Sequence, residues 1–149
     1  MNGRERIPPE LEGLRRFHGH LGPYVVLGMR MGEAARTTYP FRIYATLYCG
    51  SKRPRSCMAD GVQYSSCCTL GKANIRVVEW GAACGMFTDG RTGIEIRILQ
   101  EVLDSIDGKV TAENEDVVSV QLYQQRNEDL FITTSVETEV AWSGFTKDI

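Results

Sequence analysis

Two short stretches concentrate the side chains able to do chemistry. In "FHGHLGPY" (17–24) stand the chain's 2 histidines, His18 and His20, one glycine apart and directly before a Gly-Pro. Imidazole ligates metals and moves protons near neutral pH. Gly19 between them allows backbone angles that can turn both rings toward one point. A helix opening near Pro23 adds free N–H groups that favour an anion. The plainer alternative is a hinge whose histidines only cap or pack.

The second stretch, "SCMADGVQYSSCCTLGKAN" (56–74), spaces Cys57, Asp60 and Gln63 three apart, along one side of a helix. Cys57 falls in the first turn, where the helix dipole would lower a thiol pKa. Cys67 and Cys68 close the helix, and Thr69, Lys72 and Asn74 follow in a loop. The alternative is that these cysteines are small buried hydrophobes. On a continuous helix Cys57 and Cys68 stand roughly 16 Å apart. They cannot share one zinc, whose bonds to sulfur are about 2.3 Å long, unless the helix breaks or two subunits cooperate. A site of Cys57 with the two histidines is easier to build.

The candidate metal ligands are therefore His18, His20, Cys57 and Cys68, and thiolate with imidazole suits zinc or another divalent transition metal. The alternative is direct use of the Cys57 thiolate. His20 or His18 would be ligand or general base, and Asp60 would orient it or accept a proton. Lys72 and nearby loop amides would hold an anionic or carbonyl oxygen, with Gln63, Thr69 and Asn74 as further ligand-binding candidates.

Two motifs are absent. The zinc deaminases need H-x-E with a later P-C-x-x-C, whereas the residue two beyond His18 is His20. "LGKAN" has Gly-Lys but neither the earlier glycine nor the following Ser/Thr of a phosphate loop. The basic loop Lys52, Arg53 and Arg55 reads as a solvated turn that could attract an anion. Without C-x-x-C, a zinc ribbon or dithiol is excluded, and 5 cysteines without a signal peptide read as reduced thiols in the cytoplasm.

A net charge of -2 argues against nucleic acid or an anionic membrane as the main partner, and no stretch is long and apolar enough to span a bilayer. The 149 residues suit a single domain, 1–149. "PPELEGLRRFHG" and "GPYVVLGMRMGEAARTTY" predict helices, the second starting at Pro23. Gly28 and Gly32, four apart, mark one face for close packing, either between subunits or within the chain. "FRIYATLYC" alternates like a strand, with Ile43, Ala45 and Leu47 on one side. A helix follows over "SCMADGVQYSSCC", with Ser56 to cap it and Gly71 past its end. "ANIRVVEW" is a strand, and "AACGMFT-DGRTG-IEIRIL" a hairpin turning at Asp89-Gly90. "QEVLDSIDG" reads as a helix or a strand end bending into one, closed by Gly108. "NEDVVSVQLYQQRNEDLF" is favoured as a helix and "FITTSVETEV" as a last strand. The mixture predicts an α+β fold, a mixed or antiparallel sheet with helices packed on it.

In their order and spacing, "FHGHLGPYVVLGMRMG", "SC-x-x-DG-x-Q", "CTLGKAN" and the hairpin around "FTDGRTG" resemble the FmdE family associated with formylmethanofuran dehydrogenase, over about the first two thirds of the chain. The resemblance implies an α+β core domain, usually dimeric, with a pocket around His18, His20, Cys57, Asp60, Gln63, Cys68, Thr69, Lys72 and Asn74. It also implies formyl or one-carbon chemistry, or an accessory role beside a molybdenum or tungsten oxidoreductase without turnover of its own. Many relatives have Cys where Gly22 stands and Gly where Ala73 stands, and longer members carry a C-terminal zinc finger. The homodimer and a small-molecule ligand are expectations on the same footing.

Overall fold

A computed structural model describes residues 7–137. The first two helices are α1 (Pro9–His18) and α2 (Pro23–Thr38), each with proline in its first turn, where no N–H is missed. Glu10 and Glu12 in the first turn of α1, and Arg15, Arg16 and His18 in its last, complement the helix dipole. Gly19 ends α1 at φ 106, a left-handed conformation natural to glycine, and its N–H bonds the Arg15 carbonyl at 2.7 Å. The chain then turns sharply into α2, which is buried from Tyr24 through Gly32 and forms the central helix.

Strand β1 (Tyr44–Leu47) buries Ala45 and Leu47 as the alternation predicts. Its Thr46 is also buried and accepts a hydrogen bond from Arg76 at 3.0 Å. A 3-10 turn over Arg55–Cys57 leads into α3 (Met58–Ser66). This differs from the predicted start: Cys57, not Ser56, is the N-cap, and no side chain caps the helix. The far end also differs, because Cys67 takes a left-handed conformation (φ 64) and stops the helix before Gly71.

Strands β2 (Ile75–Val77), β3 (Cys84–Thr88) and β4 (Gly93–Ile98) come next, then α4 (Gln100–Ile106), α5 (Glu115–Gln124), α6 (Asn127–Leu130) and β5 (Phe131–Val136). The sheet order is β2-β1-β3-β4-β5. Only β1 and β2 run parallel; the other pairs are antiparallel, so the sheet is mixed and the fold α+β. The β3–β4 hairpin turns where predicted, with Asp89 accepting the Arg91 and Thr92 N–H groups at 2.8 Å. The predicted last long helix is two, α5 and α6, parted at Gln125, whose backbone is extended. Residues 138–140 of the predicted last strand lie outside the described residues.

Helices α2 and α3 meet backbone to backbone. A Cβ added at Gly28 would fall on the backbone of Met58, and one at Gly61 on the Val25 carbonyl. At Gly32 it would meet the Ser65 hydroxyl. The glycine face is thus used within the chain. On its other side α2 reaches α5 and α6 through the buried Arg30, which donates to the carbonyls of Leu122 (3.2 Å) and Tyr123 (2.6 Å) and to Asn127 Oδ1 (3.0 Å). Three acceptors satisfy a guanidinium that would otherwise be costly to bury.

Candidate functional site

The tight α2–α3 contact presses the start of α3 against the α1–α2 corner, and so gathers the first cluster. His18 closes α1 and Asp60 lies in the first turn of α3. The Nδ1 of His18 stands 2.5 Å from Oδ2 of Asp60, and the imidazole is only 10% exposed. With the carboxylate ionised, Nδ1–H donates to it, which leaves Nε2 as the ring's basic nitrogen. That Nε2 is buried and has no hydrogen-bond partner. The His20 ring lies tilted at 4.8 Å from that of His18, centroid to centroid, and is exposed at the rim.

Both rings line a cavity of about 240 Å³ together with Cys57. Helix α2 supplies Pro23, Tyr24 and Val25, and the α4–α5 connection supplies Asp107, Val110 and Glu115 as the opposite wall. Gly22 leaves room beside His20, since a Cβ there would stand 4.0 Å from its Nε2. Cys57 shares the cavity, but its thiol is pushed up, not down. Burial disfavours the thiolate and the Asp60 charge repels it, only partly offset by Arg53. The expected activation by the helix start is thus outweighed by desolvation and a carboxylate neighbour.

The remaining sequence candidates occupy the other end of α3. Cys68 is fully buried, its Sγ 3.7 Å from the Ile43 carbonyl, and does not line the cavity. Gln63 accepts the Leu70 N–H at 3.0 Å. Asn74 accepts from the Thr69 N–H at 2.8 Å and donates to the carbonyls of Ile43 and Cys67, both at 3.3 Å. The Thr69 hydroxyl accepts the Lys72 N–H at 3.3 Å. These groups hold the 67–74 loop shut against β1. The structure therefore brings together His18, His20, Cys57 and Asp60, and leaves Gln63, Cys68, Thr69, Lys72 and Asn74 outside the cavity. Among the described residues, no three His, Cys, Asp or Glu groups stand close enough to enclose a metal ion.

A second cluster has no signature in the sequence. Tyr24 donates through its hydroxyl to Asp107 Oδ1, and Arg55 donates to that hydroxyl (3.3 Å) and to Asp107 Oδ2 (3.2 Å). Arg55 also donates to the Gly81 carbonyl at 2.8 Å, so it is a brace and not a solvated turn residue. Burial and the Asp107 hydrogen bond raise the Tyr24 phenol, with Arg55 opposing. The hint is an aromatic after Gly-Pro and an arginine after Pro54. The partners themselves, 31 and 83 residues away, leave no local pattern.

Comparisons with known proteins agree on the family. The family model described as FmdE, molybdenum formylmethanofuran dehydrogenase operon, matches residues 17–140. A probable S-adenosyl-L-methionine-binding protein of Archaeoglobus fulgidus is 30% identical over 90 residues, covering 54% of this chain. The match takes in only 23% of that protein's length. A crystal structure of an FmdE-like protein of tungsten formylmethanofuran dehydrogenase, from Syntrophus aciditrophicus, superposes with a TM-score of 0.62 at 18% identity, over 87% of this chain and 71% of the other. That likeness shows a shared fold.

Proposed function

Since this chain belongs to the FmdE family, we propose that it is a metal-binding protein of formyl or one-carbon metabolism, with its working centre in the His18–His20–Cys57 cavity. The observation that supports this reading is the His18–Asp60 pair. A metal-ligating histidine ordinarily gives its second nitrogen to a carboxylate, which fixes the tautomer and strengthens the ligand. His18 has that arrangement, with a buried Nε2 that nothing in the protein uses. His18, His20 and Cys57 would hold the ion, and their donor types suit zinc. As placed, they do not converge on one point.

Such an ion, when bound, supplies Lewis-acid polarisation of a carbonyl or formyl oxygen. The chain's own contribution is to hold the His18 proton at Nδ1 and to keep the cavity apolar around Val25 and Val110. The decisive measurement is metal content after purification without chelators. About one zinc-like ion per chain is expected, lost in both His18→Asn and Cys57→Ser. Metal-free protein that also fails to take up zinc in a competition titration refutes the reading.

The family description, which names a dehydrogenase operon, favours a second reading. In it the chain is an accessory or cofactor-assisting partner of a molybdenum or tungsten oxidoreductase, and the pocket performs no turnover. Co-purification with such an enzyme supports this role, whereas a lone homodimer carrying its own metal supports the first.

A further inference from the structure

The lining of the cavity carries information about charge. Among the described residues no lysine or arginine lines it, although Arg55 lies just behind. Arg55 is committed to Tyr24, Asp107 and Gly81. Asp107 has one carboxylate oxygen bonded by Tyr24 and the other by Arg55, so its charge is compensated. Glu115 differs. It is the first residue of α5, half-buried at the cavity wall, and its carboxylate has no hydrogen bond or ion pair among the described residues. Around it stand Pro23, Val25, Ile106 and Val110. Lys72, the cation expected from the sequence to hold an anion, is not part of this lining. The buried, partnerless Nε2 of His18 independently marks the same cavity as a ligand site.

We propose that this pocket takes a small organic cation, an alkylammonium group on a short apolar body, with Glu115 as its counter-charge. This rests on the cavity being the functional site and names its ligand class. A carboxylate or phosphate entering the same space would meet Glu115 with no cation to offset it. An ammonium gains a charge-assisted hydrogen bond there, and its chain leaves water against Val25, Ile106 and Val110.

The test uses three probes of one shape: n-butylammonium, butan-1-ol and butyrate. They are titrated into the full chain at about pH 8, above the ordinary imidazole range, and followed by chemical-shift changes. Samples as purified and after chelator treatment are compared, so the result is read apart from metal content. The expected order is butylammonium tightest, by roughly five- to tenfold over butyrate. Glu115→Gln should abolish that preference and Glu115→Lys reverse it, while His18→Asn retains it. Butyrate binding as tightly as butylammonium, or a preference that survives Glu115→Gln, overturns the assignment. Neither result bears on zinc uptake by His18 and Cys57, so the two readings fail separately.

Discussion

Replacing Gly28 by alanine tests how the site is held together. In an ordinary helix the change would stabilise by about 1 kcal/mol, because alanine is the better helix former. Here the new methyl falls on the Met58 backbone, which cannot rotate away as a side chain could. Over-packing of a filled core typically costs about 1–3 kcal/mol, and a rigid backbone neighbour puts this site at the upper end. The net expectation is a loss of about 2 kcal/mol, or a fall in Tm of about 4–8 °C for a chain of this size. Thermal melts by circular dichroism measure it, with Gly71→Ala as control, since a Cβ there meets open space. The control should stay within about 0.5 kcal/mol of wild type. A Gly28→Ala protein melting at or above the wild-type temperature would show that α2 and α3 do not meet as described, and the pocket built on that contact would go with it.

Two further outcomes can be checked. Arg30→Met keeps the aliphatic stem but strands the Leu122 and Tyr123 carbonyls, so roughly 2–3 kcal/mol should be lost in urea unfolding. Arg126→Met, at a solvated ion pair, is the control and should shift the urea midpoint far less. For the buried Cys49, burial pushes the thiol up to about 11 from an ordinary 9.0. Above pH 9 the unfolded chain therefore loses this proton before the folded one. Stability should fall as pH rises from about 9 to 11, by up to ~2–3 kcal/mol from this group. Comparison with Cys49→Ala isolates it from other groups titrating there, and equal alkaline losses in both proteins would count against it.

Features carried by local pattern were readable in the sequence. The alternation of β1, the Asp-Gly hairpin and the proline-opened helices are each fixed by a few neighbouring residues. Part of the site was readable too, since His18, His20, Cys57 and Asp60 are reactive types near segment ends. Gln63, Thr69 and Asn74 misled because the same polar groups that bind ligands also close loops on their own backbone, and here they do the latter. Tyr24, Arg55, Asp107 and Glu115 were invisible because their roles depend on which distant segments the sheet and helices bring alongside. The split between α5 and α6 was hidden by apolar residues that fit two periods at once, with Val120 and Leu122 buried and Val117 exposed.

The sides of the cavity are not equally open to change. Where two backbones touch without intervening side chains, no substitution can shift one helix a little; the choice is between the present distance and a broken joint. The α1–α2 corner and the head of α3 are therefore fixed with respect to each other. The α4–α5 connection is tied to them by polar side chains instead, through Asp107 to Tyr24 and Arg55. Adapting this scaffold to a bulkier or differently charged guest is thus a task for positions 106–115, whose exchange leaves the histidine–aspartate pair where it is.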